Sequence, residues 1–141
     1  MAVIKGINRD TPLLDIDMDT STNRGTVRVT GVVVLDPNNL AVLESNPNAK
    51  FNLVVRLFGL DNGLRLDDDP IPGGAVGSKT IQGKQQSAQV GFDFTATRSG
   101  AALNEDRPGS DEIYARCELS NNAGFLPVQE ESNIIEFAFR N

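Results

Sequence analysis

Apolar and polar residues alternate in short segments over most of the chain, from residue 14 to near its end. In the first segment Leu14, Ile16 and Met18 alternate with aspartates. Successive side chains of a β-strand point to opposite faces, so this pattern predicts a half-buried strand with an acidic outer face. The same alternation predicts further strands at 26–35, 51–60, 64–66, 79–82, 90–96, 112–119 and 133–140.

The segments between these strands contain the residues that form turns. Asp61-Asn62-Gly63 holds an Asn-Gly pair, which readily adopts the positive φ of a tight hairpin turn. Only residues 39–45 indicate a helix, of one or two turns after an asparagine cap. Many short strands without long crossover helices are typical of antiparallel sheets. The sequence therefore predicts an all-β, single-domain antiparallel β-sandwich of about eight strands, immunoglobulin-like or jelly-roll-like, over residues 13–141 after an N-terminal arm of residues 1–12.

The order of the predicted strands also predicts where the loops lie. Consecutive antiparallel strands reverse direction, so their connections alternate between the two ends of the sandwich. This rule places 36–49, 67–77 and 97–110 at one end. Loops gathered at one end of a sandwich are where binding sites commonly lie. The other end is then expected to hold the connections 20–25, 61–63, 83–84 and 120–131.

Composition and charge narrow the partners that we expect. The chain has 141 residues, 39% of them hydrophobic and 23% charged, as in an ordinary folded domain. Its net charge of -6 disfavours binding to phosphate backbones and anionic lipids, so neither nucleic acid nor a membrane is an expected partner. No run approaches the roughly 18 apolar residues that span a bilayer, and Met1–Gly6 lacks the apolar stretch of a signal peptide. We expect a soluble protein, in a compartment that the sequence leaves unknown.

The side-chain inventory removes several reaction classes. The chain has no histidine, which excludes Ser-His-Asp and Cys-His catalysis and histidine-ligated metals. Its single cysteine, Cys117, lies in an apolar alternation and is expected to be a buried structural thiol. The absence of tryptophan and the single tyrosine argue against a carbohydrate partner, because sugars usually stack on aromatic rings. A hydrolase that uses paired carboxylates remains as a third function, behind two non-enzymatic ones.

Two acidic clusters suggest a cation. Asp67, Asp68 and Asp69 are consecutive, and calcium takes about 6–8 oxygen ligands, so they are candidate calcium ligands. The competing interpretation is a solvated acidic turn before a proline. The alternating aspartates of the first strand begin like an EF-hand loop. However, Thr20 stands where that loop needs glycine and Thr26 where it needs glutamate, so a polar strand face is the preferred interpretation.

The segment around Cys117 resembles the sixth strand of an immunoglobulin domain, because Asp111 and Tyr114 precede the cysteine. In that family the tyrosine lies two residues before the cysteine and shares its face. Tyr114 lies three residues before Cys117 and is expected on the opposite face. No tryptophan or second cysteine completes the set, so the resemblance concerns architecture alone.

Two segments are apolar on both faces, around Val32 to Val34 and around Ile134. A two-layer sandwich covers one face of each strand, so something else must cover the other. Either a loop or the Met1–Pro12 arm covers it, or Val32, Val34 and Ile134 belong to an interface with a partner subunit. The sequence thus favours a non-enzymatic structural or protein-interaction module that self-associates in a homo-oligomer or in a virion, fibre or sheath assembly. The alternative is a module that binds calcium or a small ligand at acidic loops.

Overall fold

The computed structural model describes residues 1–59, 69–103 and 111–137, and for Asp69, Asp111 and Phe137 the backbone alone. No helix in this part of the chain is long and apolar enough to cross a membrane. Its elements are β1 (Val3–Lys5), β2 (Leu13–Asp19), β3 (Arg24–Val34), α1 (Pro37–Ser45), β4 (Lys50–Gly59), β5 (Asp69–Pro70), β6 (Gly77–Gln82), β7 (Gln89–Ser99), α2 (Gly100–Leu103), β8 (Asp111–Asn121), β9 (Val128–Glu131) and β10 (Ile135–Phe137).

The first sheet is built around β3, which is paired on both of its edges. β7 pairs with β3 along its whole length, from Arg24 opposite Ser99 to Val34 opposite Gln89. On the other edge β2 pairs with residues 24–30 and β1 with residues 32–34. β1 and β2 therefore act as one edge strand that residues 6–12 interrupt. All these pairings are antiparallel.

The second sheet has β4 and β8 at its centre, paired from Phe51 opposite Asn121 to Gly59 opposite Ile113. Its two outer positions are again filled by pairs of short strands. β5 and β6 follow each other along the outer edge of β4, and β9 and β10 along the outer edge of β8. The all-β antiparallel sandwich that the sequence predicts is therefore confirmed.

The core lies between the two sheets and consists of the inward residues that the alternation predicts. A fully buried aliphatic side chain contributes about 1.5–3 kcal/mol relative to an exposed one, so these residues supply most of the driving force for folding. Cys117 is among them, and burial raises the pKa of its thiol to about 12. The most completely buried members from the central strands include Val27, Val29 and Val33, then Leu53, Val55 and Leu57, then Ile113, Ala115, Cys117 and Leu119.

The helix begins before the residue that the sequence favours. The prediction starts it at residue 39, whereas α1 begins at Pro37. Asp36 is the cap: its Oδ1 accepts the Asn39 N–H at 2.8 Å, and the Asn39 side chain accepts the Asp36 N–H at 2.9 Å. The reciprocal pair satisfies two backbone donors, and proline is suited to the first helical position because it lacks an N–H.

Short strands escape the alternation rule. β1 lies in the segment that the sequence assigns to an arm, and β9 lies in the predicted loop 120–131. Each has too few residues for a period of two to be recognised. The last strand, predicted over 133–140, is described as β10, Ile135–Phe137. The predicted strand at 64–66 lies outside the described residues.

The predicted placement of the loops is wrong, because β5 and β6 do not reverse direction relative to each other. Both run antiparallel to β4 along the same edge, with Pro70 opposite Phe58 and Gly77 opposite Val55. Residues 71–76 bulge from this edge with Gly73 and Gly74 at φ of 116° and 77°, a region that glycine adopts without strain.

Every later connection therefore shifts to the other end of the sandwich. Residues 83–88 and 122–127 lie at the end that holds α1, which we call the helix end, because Gln89 pairs with Val34 and Asn121 with Phe51. Ser99 lies at the opposite end, opposite Arg24. The loops 36–49, 67–77 and 97–110 do not converge as predicted.

Candidate interaction surfaces

The outer face of the first sheet is polar. The aspartates of β2 lie there with Arg28 and Asp93, as the alternation predicts for an acidic outer face. Arg28 donates two hydrogen bonds to the Asp93 carboxylate, at 2.9 and 2.6 Å. These bonds hold the pKa of Asp93 below its ordinary value and raise the pKa of Arg28. Both side chains are about half exposed, so the pair contributes little to stability.

Exposed apolar side chains follow the edge formed by β1 and β2. Val3 and Leu13 lie on the outer face of β1 and β2 and are 49% and 39% exposed. Ile7, in the connection between them, is 61% exposed, and Ile134 is 42% exposed. Ile7 instead reaches over the outer face of the sheet towards Gly91 of β7. We call Val3, Leu13 and Ile134 the apolar strip. Several exposed apolar side chains along one edge of a folded domain favour a contact with another molecule.

Asn133 places Ile134 next to this edge. Its side chain accepts a hydrogen bond from the Leu14 N–H at 2.8 Å and donates one to the Leu14 carbonyl at 3.1 Å. The amide thereby occupies the position of a neighbouring strand and joins the second sheet to β2. Because Leu13 and Ile134 directly adjoin the two bonded residues, they flank the same junction.

The three residues predicted as an interface have different environments. Val32 is only 9% exposed, since Lys5 lies opposite it and Lys5–Asn8 line a depression with it. The chain's own N-terminal segment thus covers Val32, and this segment is among the possible covers that the sequence allows. Val34 is partly exposed opposite Val3, and Ile134 belongs to the apolar strip. Their role in an interface stays a prediction.

The side of β7 that does not pair with β3, which we call its free edge, borders an open groove of about 430 Å³. The groove is lined by Ile7, Lys79 and residues 91–94. The backbone hydrogen bond from the Leu35 N–H to the Ala88 carbonyl, at 2.8 Å, fixes which β7 residues face β3. Hydrogen-bonded pairs alternate along an antiparallel ladder, so the even-numbered residues of β7 bond to β3 and the odd-numbered ones point to the free edge.

Acidic residues in the described part of the chain lie at both ends of the sandwich. Asp36 caps α1 at the helix end, where contact with the chain's first amino group and the Asn39 N–H lowers its pKa. Asp69 and Asp111 have their backbones at the opposite end, the former opposite Gly59. Asp67 and Asp68 lie outside the described residues. No three His, Cys, Asp or Glu side chains within the described ranges form a group that suits a metal ion, so the calcium site stays a prediction.

A depression of about 450 Å³ lies at the helix end. Phe51, Leu119 and Phe125 form much of its wall, with Asp36 at its border. Asn121 shapes the loop beside it, because its Oδ1 accepts the N–H groups of Ala123 and Phe125, each at 3.0 Å. The sequence does not predict this depression, since it depends on the apposition of α1 and the 122–127 connection.

An aromatic cluster lies on the outer face of the second sheet, and the sequence does not predict it either. Tyr114 is fully buried and stacks on Phe58, with ring centroids 5.9 Å apart. The Arg116 guanidinium lies 4.1 Å from the centre of the Phe58 ring and donates to the Tyr114 hydroxyl at 2.9 Å. It also pairs with Glu131 at 3.4 Å. Tyr114 does face away from Cys117, as its spacing predicts, and its role here is structural.

Comparison with known proteins assigns no family to this chain. No protein-family model matches it, and no curated protein matches its sequence.

Proposed function

We propose that this domain is a non-enzymatic structural or protein-interaction module that associates with further copies of itself in a homo-oligomer or a larger assembly. The observation that carries the proposal is the apolar strip. Covering apolar surface contributes about 25 cal/mol per Å², so exposed valine, isoleucine and leucine along one edge favour contact with another protein surface. Each member is at least 39% exposed, so part of this gain is still available to a partner.

The described carboxyl groups support a non-enzymatic role. A general acid needs a carboxyl group whose pKa is raised towards neutrality. The carboxyl groups with a resolved shift in the described ranges are Asp19, Asp36 and Asp93, and all three are lowered by hydrogen bonds that favour the charged form. These groups stay ionised at neutral pH and suit solvated or paired surface charges better than proton transfer.

Size-exclusion chromatography with light scattering tests the proposal. At micromolar concentration the wild-type chain is expected to show a mass above 15.2 kDa, the mass of one copy. The double variant Leu13→Ser and Ile134→Ser changes the two strip residues that adjoin the Leu14–Asn133 hydrogen bonds and is expected to shift the mass towards one copy. Leu126→Ser is the matched control, because Leu126 is 74% exposed but lies outside the strip. A strictly monomeric wild type would contradict the proposal.

A further inference from the structure

The free edge of β7 carries backbone groups that nothing in the described chain satisfies. Towards its ends these groups are occupied: Lys79 Nζ donates to the Gly91 carbonyl at 3.0 Å, and Arg98 donates to the Thr97 carbonyl at 2.9 Å. In the middle, the N–H and C=O groups of Asp93 and Thr95 point to the free edge without a partner among the described residues. Such a row is a template for pairing with another strand.

Apolar side chains flank this row on both faces of the sheet. Ile7 lies beside it on the outer face, where it lines the groove and is largely exposed. On the inner face Phe94 is half-buried and stacks on Phe92, with ring centroids 5.6 Å apart. A strand laid into the groove therefore gains apolar contacts as well as hydrogen bonds.

The opposite edge of the same sheet is unsuited to pairing with its own copy. By the same alternation, the backbone N–H and C=O groups of the even-numbered residues of β2 point away from β3. Those of Leu14 are already hydrogen-bonded to Asn133. An antiparallel β2 pair centred on Ile16 would set Asp15 of each copy opposite Asp17 of the other. Like charges directly opposite each other are destabilising. The acidic row of β2 therefore acts against self-pairing at this edge.

The sequence of β7 is, by contrast, self-complementary in one register. Residues whose backbone N–H and C=O groups point to the free edge must lie opposite each other. Odd-numbered residues of β7 therefore pair with odd-numbered residues of the second copy. With Phe94 opposite Phe94 of a second copy, Asp93 faces Thr95 in both directions, and about four hydrogen bonds form between groups that are now unsatisfied. A register centred on Asp93 would place the Asp93 side chains of the two copies opposite each other, which is destabilising. A register centred on Thr95 would need the Thr97 carbonyl, which already accepts a hydrogen bond from Arg98.

We infer that two copies of this chain associate by antiparallel pairing of their β7 strands around a two-fold axis at Phe94. The inference rests on the proposed function and adds to the apolar strip a second contact, at the opposite edge of the same sheet. In this register Gly91 of one copy lies opposite Thr97 of the other, and the first sheets of both copies become one continuous sheet.

Disulfide cross-linking tests the register. Gly91→Cys and Thr97→Cys variants are purified separately, mixed and oxidised. A β-carbon at Gly91 meets only the Gly31 carbonyl, at 4.0 Å, so the new side chain fits. Opposite residues of an antiparallel pair lie within the range of Cα distances that a disulfide spans. Cys117 is buried, so it does not compete for the new thiols. We expect a covalent dimer from the mixture and none when Thr26→Cys, on the interior strand β3, replaces Thr97→Cys.

A proline substitution tests the edge independently of cysteine chemistry. The Thr95 N–H points to the free edge, so Thr95→Pro removes a donor without breaking the ladder to β3. We expect the dissociation constant of the dimer to rise roughly tenfold or more, because each copy loses one hydrogen bond. Thr80→Pro is the matched control, since Thr80 points to the outer edge of β6 in the other sheet, and it is expected to leave association unchanged.

The outcomes separate this inference from the proposed function. A wild-type oligomer that persists in Thr95→Pro and gives no Gly91–Thr97 cross-link overturns β7 pairing and leaves self-association standing. An oligomer that dissociates when the apolar strip is changed, but not in Thr95→Pro, also overturns β7 pairing and leaves self-association standing. A wild type that stays monomeric and gives no cross-link overturns both. If Thr95→Pro fails to fold, the cross-linking result alone decides.

Discussion

Asn133 is expected to contribute measurably to stability, because its side chain closes one side of the sandwich. It forms two hydrogen bonds with the backbone of Leu14, at 2.8 and 3.1 Å, across 119 residues of chain. Asn133→Ala removes both bonds and leaves the Leu14 N–H and C=O without partners at a partly buried position. The substitution leaves the pairing of β2 with β3 intact, because the backbone N–H and C=O of Leu14 point away from β3.

The expected loss follows from the net value of a hydrogen bond. One bond contributes about 0.5–1.5 kcal/mol, so the loss of two at a partly buried site destabilises the domain by about 2 kcal/mol. A domain of 141 residues unfolds with an entropy of about 0.3 kcal/mol per kelvin near its melting temperature, which converts this loss into a fall of about 7 °C. Thermal melting followed by circular dichroism, together with urea unfolding, measures both quantities.

Asn122→Ala is the matched control for this experiment. The Asn122 side chain also makes two backbone hydrogen bonds, with the Lys50 N–H and the Asn48 carbonyl at 2.8 and 2.9 Å. These groups are exposed, so water replaces the lost bonds, and we expect less than half of the effect at Asn133. Hydrogen exchange adds a local measurement, because the Leu14 amide is expected to lose its protection in Asn133→Ala. An unchanged melting temperature, or unchanged protection of Leu14, would refute the reasoning.

Three further predictions concern charge, the thiol and calcium. The hydrogen bonds from Arg28 hold the folded pKa of Asp93 below its ordinary 3.8, so the stability that its charge contributes is present above that pH and is lost as the pH falls through the folded pKa. The difference in urea stability between wild type and Asp93→Asn is therefore expected to be constant near neutral pH and to shrink as the pH is lowered below 3.8. The buried Cys117, with a pKa of about 12, is expected to resist iodoacetamide at pH 8 until urea unfolds the chain, and mass spectrometry that finds rapid alkylation of folded protein would contradict this. If the alternative function holds, calcium at about 100 times its dissociation constant is expected to add about 2.7 kcal/mol to the free energy of unfolding. The triple variant Asp67→Asn, Asp68→Asn and Asp69→Asn is expected to abolish this gain, and equal melting temperatures in calcium and in EDTA would remove the alternative.

The longer strands and their inward residues are predictable from the sequence. In β2, β3, β4, β7 and β8 the alternation runs over enough residues to separate a buried face from an exposed one. The helix is also found, although the reciprocal bonds of Asp36 and Asn39 set its first residue. Of the apolar strip, the sequence suggests Ile134, whereas Val3 lies in a strand too short to be recognised.

The tertiary structure alone decides which strands are neighbours and which edges remain open. Alternation is local, so it records a strand's faces but neither its partner nor its direction. β5 and β6 follow each other along one edge of β4, and this single missing reversal moves every later loop to the other end. The same holds for Tyr114, which meets Phe58 only through the register of β4 and β8. The tertiary structure also decides that β2 and β7 are the two edges of the first sheet. Long-range pairing determines which of their backbone groups are satisfied and which stay available to a second chain.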